Sequence, residues 1–296
     1  MKITAIIGPT ASGKSALAHT IAKQTNATIL SLDSLALYKE IDILSAKPTK
    51  EELCEVHYEG INLITPDAYY STVKYLELYN RICEQCELNN QDLILVGGSS
   101  FYLKTLIDGI SNTPQIDEST IKKVNNLLCN LPKAYQCLKE YDLEYANTLK
   151  ENDAYRIEKA LQLAIQTNMA PTAYWKKYPK LTAEHNKFPI YNIEQPREYL
   201  RSRIQKRTEI MFKQGAVDEV CHLEHKYSRS SKSMQSIGIK ELLSYLDGKI
   251  TLNKAKELIS IHTAQLAKRQ ETFNRHQFTN TICGDSQTLQ EIILEV

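Results

Sequence analysis

The sequence predicts an α/β fold: a parallel sheet flanked by helices, with an all-helical insertion domain. Three observations lead there. Short apolar runs at Ile3–Ile7, Ala27–Leu32 and Leu93–Val96 end in a glycine or an acid, as buried parallel strands do. Stretches with helical apolar spacing follow the first and third runs, an alternation that builds a sheet covered on its faces. From Asp117 to Thr167 no strand pattern occurs and helical periods dominate.

In chain order, Ile3–Ile7 runs straight into a glycine loop, and Lys14–Gln24 then carries Leu17, Ala18, Ile21 and Ala22 on one helical face. Ala27–Leu32 is closed by Asp33. Leu93–Val96 is closed by Gly97-Gly98, and Phe101–Ile107 is helical. Ser111-Asn112-Thr113-Pro114 reads as a loop. Helices are expected around Ile121, Val124, Leu127 and Leu128, and over Arg156–Ile165. Phe188–Ile193 fits one more strand. Pro196 suits a first helical turn, and that helix runs to about Gln214, before Gly215. The division expected is a core of 1–111 with 197–296, and a mainly helical insertion of 112–196.

Composition sets limits. A chain of 296 residues with 42% hydrophobic and 24% charged residues is neither disordered nor collagen-like. No stretch approaches ~18 apolar residues, and the first apolar run is too short for a signal peptide. A cytoplasmic protein without membrane contact is expected. Seven cysteines, an odd number, read as reduced thiols. Cys83-Glu84-Gln85-Cys86 lacks a second ligand pair, and His222 and His225 have only Cys221 nearby. No zinc site is expected.

Thirty-six basic against 35 acidic residues give a net charge of +1, which excludes indiscriminate coating of nucleic acid. The total conceals an asymmetry. Residues 1–111 are net −4 and residues 197–240 net +5. Docking one nucleic acid in one orientation remains compatible with that distribution.

Gly8-Pro9-Thr10-Ala11-Ser12-Gly13-Lys14-Ser15 matches G-x-x-x-x-G-K-[ST] between a strand and a helix. Such a loop curls backbone N–H groups around phosphate oxygens, and the helix N-terminus adds its dipole. Lys14 reaches the terminal phosphate and the Ser15 hydroxyl ligates Mg²⁺. The core is therefore expected to be a P-loop NTPase-like sheet. The strand Leu93–Val96 ends in Gly97-Gly98-Ser99, not in the aspartate that commonly holds Mg²⁺ in hydrolases of this class. Ligands of doubly wound sheets sit at the carboxyl ends of strands, so Asp33 and Ser99 should both face the loop. Asp33 fits a general base or a Mg²⁺ ligand, or else a helix N-cap. Ser99 fits a donor to a phosphate or leaving group, or a cap of the helix that follows.

Seven ordered motifs now point to a family. They are Gly8–Ser15, Asp33–Lys39, Asp42–Pro48, Val96–Tyr102, Asn152-Asp153 through Arg156 to Leu161, Ser236–Glu241, and Gln265–Gln270. Together they resemble the tRNA dimethylallyltransferases (tRNA isopentenyltransferases) over residues 8 to about 275. The resemblance implies transfer of a dimethylallyl group from dimethylallyl diphosphate to N6 of the adenosine 3′ to a tRNA anticodon, with release of diphosphate. It implies that Gly8, Pro9, Thr10, Ala11, Ser12, Gly13, Lys14 and Ser15 hold the diphosphate with Mg²⁺. Asp33 then takes the proton from the adenine amine. Ser99, where the family usually has Thr, donates to the bridging oxygen. Contacts to the anticodon stem-loop fall to Asp33, Ser34, Leu35 and Ala36, to Tyr155, Arg156, Ile157, Glu158 and Lys159, and to Gln235, Ser236, Ile237, Gly238, Ile239 and Lys240. Lys159 and Lys240 stand where the family commonly has Arg, keeping the charge but losing the bidentate fork. Near Ile121 the family often has a basic residue; Lys122 and Lys123 come next here.

Arg197, Arg201, Arg203, Lys206 and Arg207 share one expected helix. Arg201 and Arg203 are taken as contacts to tRNA phosphates; a solvated helix face is the alternative. Tyr174-Trp175-Lys176-Lys177-Tyr178 reads first as core packing, second as a stacking platform. A P-loop small-molecule kinase would share the loop, the sheet and Asp33. It would need neither the Gly-Gly-Ser strand end nor the basic segment. A GTP switch is disfavoured by the absence of an Asn-Lys-x-Asp motif. Nothing requires an oligomer, and a monomer is expected.

Overall fold

The computed structural model describes residues 1–295. The chain forms two compact units, Met1–Asp108 with Ala183–Val296, and Gly109–Thr182.

The first unit starts with β1 (Ile3–Ile7), α1 (Lys14–Thr25), β2 (Thr28–Ser31), α2 (Lys50–Glu55), β3 (Tyr58–Glu59), α3 (Thr72–Leu88), β4 (Leu93–Gly97) and α4 (Ser100–Asp108). The second unit holds α5 (Glu118–Leu128), α6 (Leu131–Tyr141), α7 (Leu143–Ala146), α8 (Ala154–Thr167) and α9 (Pro171–Lys177). The chain returns to the first unit with β5 (Ile190–Ile193), α10 (Arg197–Lys213), α11 (Ala216–Lys226), α12 (Ile239–Leu246), α13 (Leu252–Gln277), β6 (Thr281–Gly284) and α14 (Ser286–Glu295).

Six strands form one sheet in the order β3-β2-β4-β1-β5-β6, with every pairing parallel. β1 and β4 are buried along their whole length, which explains their unbroken apolar runs. Ile6, Ile29, Ile94, Val96, Tyr191 and Ile193 of the sheet pack with Leu17, Ala18, Ile21 and Ala22 of α1 and Leu289 and Ile293 of α14. A second core joins Met211, Val220, Leu223, Ile239, Leu242, Ala255 and Ile259 of α10–α13 to Ile41 and Leu44 of the loop after β2.

The helical unit has its own core of Val124, Ala134, Leu138, Ile157, Ala160 and Leu161. Its ends meet in an antiparallel bridge between Ile110 and Leu181. Its boundary differs from the expected 112–196. Residues 183–196 belong with the sheet, because Ala5 and Ile7 of β1 pair with Ile190 and Asn192 of β5. No strand is expected after Phe188–Ile193, so β6 is an addition. That strand closes the sheet edge and is half exposed, so Thr-Ile-Cys-Gly carries no continuous apolar run.

Candidate active site

The phosphate loop folds as its glycines require. Gly13 has φ 101°, a left-handed conformation disfavoured for residues with a Cβ, and α1 begins at the next residue. The Ser12 N–H donates to the Pro9 carbonyl at 3.2 Å, tightening the turn. Lys14 lies 8% exposed beneath it, and its ammonium donates to the Pro9 carbonyl at 3.2 Å. Burial lowers the Lys14 pKa to about 8, with Asp33 acting to raise it and Arg207 to lower it further.

β2, β4 and β1 are adjacent in the sheet, and their carboxyl ends carry Asp33, Ser99 and the phosphate loop in that order. The Asp33 Oδ1 accepts the Leu35 N–H at 2.8 Å, and the Asp33 N–H donates to Ser31 Oγ at 3.2 Å. No helix starts there; the chain makes turns until α2. Asp33 therefore caps a turn, leaving its second oxygen outside that bond. Ser99 does not spend its hydroxyl on α4. Its Oγ accepts the Ser34 N–H and donates to Ser34 Oγ, both at 3.1 Å, tying the β4 end to the turn of Asp33.

A cleft of about 780 Å³ opens beside the loop. Gly13, Lys14, Ser15, Lys47, Arg203 and Arg207 line it, with Ile43, Ile210 and Met211 as apolar wall. Asp33 and Ser99 are not among its lining residues. Arg207 donates to Thr10 Oγ1 at 3.2 Å. Desolvation lowers the Arg207 pKa, opposed by the Asp33 charge. Asp42 and Glu52 also line the cleft, so its five basic side chains outnumber two acidic ones and the balance is cationic.

The basic cluster on α10 splits by helix face. Arg203, Arg207, Ile210, Met211 and Gln214 recur at three- to four-residue spacing and turn toward the cleft. Arg197, Arg201 and Lys206 are exposed and lie outside that lining. Arg203 is exposed as well, so Arg201 and Arg203 are both accessible but do not share one helix face. The i, i+4 spacing of Arg203 and Arg207 was the available signal.

Three further residues have roles that the sequence did not assign, although Lys47 and Gln270 stand inside the quoted motifs. Lys47, its side chain 4% exposed, donates to the Tyr38 carbonyl, Asp42 Oδ1 and Asn62 Oδ1 at 2.6–2.7 Å. The Glu219 carboxylate accepts the N–H groups of Asp42, Ile43 and Leu44 at 2.7–3.0 Å. Both hold the loop after β2. Gln270 of α13 contacts the phosphate loop itself.

Several expected RNA-contact residues have buried side chains. Ile157 is fully buried in the helical core, and Ile239 in the core of α10–α13. Ala36 is 4% exposed, and a Cβ on Gly238 would strike Leu44. Apolar side chains on inward helix faces leave only their neighbours for a ligand. Tyr155 is exposed. Arg156 pairs with Asp153 at 3.1 Å and Lys159 with Glu158 at 2.8 Å. Ser34, Leu35, Gln235, Ser236, Ile237 and Lys240 are exposed or half exposed. Tyr174 packs on Tyr178, and Trp175 edge-on to Tyr145, favouring core packing over a stacking platform. Cys83 and Cys86 are buried on the inner face of α3. Among the described residues no group of three His, Cys, Asp or Glu side chains could hold a metal ion.

A sequence model of the IPP transferase family matches residues 36–277. The chain belongs to the IPP transferase family. It is 46% identical over 291 residues to a tRNA dimethylallyltransferase of Sulfurovum sp., covering 98% of this chain and 97% of that one. It is 47% identical over 290 residues to one of Sulfurimonas denitrificans, with the same coverage. A crystal structure of a family member, the tRNA delta(2)-isopentenylpyrophosphate transferase of Staphylococcus epidermidis, aligns with TM-score 0.68 and 29% identity. That alignment covers 100% of this chain and 98% of the other. The family's shared fold reaches further: a eukaryotic dimethylallyltransferase crystallised acting on tRNA aligns over 97% of this chain and 74% of its own, with TM-score 0.81 at 24% identity.

Proposed function

We propose that this protein transfers a dimethylallyl group from dimethylallyl diphosphate to N6 of the adenosine 3′-adjacent to the anticodon of tRNA, releasing diphosphate. The observation that carries the reading is the order of strand ends. Asp33, Ser99 and the phosphate loop stand on three adjacent parallel strands, each ~4.8 Å from the next. A base, a leaving-group donor and a diphosphate cradle therefore lie in a row.

The chemistry follows that row. The loop N–H groups, Lys14 and Arg207 hold the diphosphate and stabilise the charge that grows as the allylic C–O bond breaks. Ser99 keeps the Ser34 N–H bond and turns its hydroxyl proton from Ser34 Oγ to the bridging oxygen of the breaking C–O bond. The amine of the flipped-out adenine attacks the allylic carbon, and its proton passes to Asp33. Mg²⁺ fits the donor set, since it keeps several waters and binds through substrate phosphates with one or two protein oxygens. Ser15, exposed at the head of α1 on the cleft, would supply its hydroxyl. Bound there, the ion neutralises diphosphate charge. The exposed residues among 34–35, 155–159 and 235–240 would meet the anticodon stem-loop, and the protein would act as a cytoplasmic monomer.

The deciding experiment incubates the enzyme with labelled dimethylallyl diphosphate, Mg²⁺ and unmodified tRNA. Label in tRNA and release of diphosphate are expected. ATP-dependent phosphorylation of a metabolite without label transfer would establish the kinase reading instead.

Salt dependence tests the outer face of α10. Arg201→Glu is expected to flatten the slope of log K for tRNA against log salt by about one, with diphosphate affinity unchanged. Arg203→Glu, facing the cleft, is expected to weaken diphosphate binding first. An unaltered slope for Arg201→Glu removes that face from the RNA surface.

A further inference from the structure

The phosphate loop is held from outside by one side-chain amide. Gln270 lies on α13, on the stripe that also carries buried Ala267 and Asn274. Its Oε1 accepts the Thr10 N–H at 2.8 Å, and its Nε2 donates to the Gly98 carbonyl at 2.9 Å. The two contacts lie on different loops, one after β1 and one after β4. Each contact adjoins a group of the site. Thr10 carries Arg207 on its hydroxyl, and Gly98 precedes Ser99. The fit is close: a Cβ on residue 98 would displace the Gln270 amide.

An amide suits this position because it presents one acceptor and one donor in a single plane. A carboxylate would accept from Thr10 but oppose the Gly98 carbonyl. An ammonium could not accept from Thr10. Neither loop has regular structure at these points, so the bridge fixes a spacing that the strands alone leave loose.

We propose that Gln270 is a positioning residue whose amide sets the separation between the diphosphate-holding loop and Ser99. It thereby aligns the leaving group with Ser99 and, through the Ser34–Ser99 hydrogen bonds, with the turn of Asp33. This rests on the prenyl-transfer reading of the same site.

The test uses the full chain and three measurements: the Kd for inorganic pyrophosphate, the Kd for tRNA without donor, and kcat at saturating donor and tRNA. Gln270→Met keeps the length and bulk of the side chain and removes both hydrogen bonds. It is expected to weaken pyrophosphate binding about tenfold and to lower kcat by a similar factor, with the tRNA Kd unchanged. Gln270→Glu is expected to fall below Gln270→Met in both, because its carboxylate faces a carbonyl and the bound anion. Unchanged pyrophosphate affinity and kcat in Gln270→Met would overturn the proposal. So would a weakened tRNA Kd with pyrophosphate binding intact, which would make Gln270 an RNA contact. A parallel decline of all three measurements with thermal stability would make it a general packing residue. If the wild-type enzyme fails to prenylate tRNA, the functional reading falls, while the pyrophosphate measurement still reports on the bridge.

Discussion

Replacing Asp33 is expected to lower kcat by about 10³-fold, within the range a positioned general base contributes, while inorganic pyrophosphate still binds. Two variants are needed, because Asp33 has a second duty. Its Oδ1 accepts the Leu35 N–H and shapes the turn after β2. Asp33→Ala removes both the base and that bond. Asp33→Asn keeps an oxygen for Leu35 and removes only the basicity. Equal losses in both would assign the effect to proton transfer; near wild-type turnover in Asp33→Asn would end the base assignment. The electrostatics add a direction. Asp33 acts to raise the pKa of both Lys14 and Arg207, so its negative charge also opposes an incoming anion. Loss of Asp33 also lets the Lys14 pKa fall further, so pyrophosphate should still bind near pH 7 but weaken at a lower pH than in the wild type.

Lys14→Met is expected to abolish diphosphate binding and yet to stabilise the ligand-free protein. The ammonium is buried, with a carbonyl as its hydrogen-bond partner, and the cost of burying the charge outweighs the attraction of Asp33. Its pKa falls from 10.5 to about 8, a shift corresponding to roughly 3 kcal/mol against the charged folded state. Because the folded value lies below the unfolded one, the destabilisation is fully present below about pH 8. It is relieved as pH rises toward 10.5, where the unfolded chain still binds the proton that the folded one has lost. A melting temperature several degrees above wild type is therefore expected for Lys14→Met near pH 7. That gain should shrink through the alkaline range. A lower melting temperature at neutral pH would show that Lys14 is satisfied in the free loop. In the wild type, pyrophosphate should raise the melting temperature and bind less tightly above about pH 8, as Lys14 loses its proton before the anion arrives.

What could be read in advance depended on how local each signal was. The phosphate loop is eight consecutive residues with a backbone requirement, so its glycines announce it. That Asp33 and Ser99 would stand at neighbouring strand ends was legible because the apolar runs before them mark the strands. Helix α2 opens with a capping box formed by Thr49 and Glu52, a signal present in the sequence and not taken up. Arg207 was visible only as one of five basic residues; its orientation depends on where α10 packs. Gln270 lies 260 residues from Thr10, and no local pattern links them. Ile157 and Ile239 sit inside functional-looking motifs yet face cores, since a motif read linearly does not distinguish a helix's inner and outer faces.

The sheet order also bears on how the chain is made. β1, the first of these six strands in chain order, pairs on one side with β4 and on the other with β5. β5 emerges only after the whole helical unit, roughly 90 residues beyond β4. At about 5–20 residues per second one edge of Ile3–Ile7 waits roughly 5–20 s for its partner during translation. A nascent chain that has completed 1–108 thus carries an apolar, unpaired strand edge beside its finished phosphate loop, the kind of surface that ribosome-associated chaperones shield. Rapid closure of the helical unit on itself, through its local contacts, shortens the search by which β5 reaches that edge.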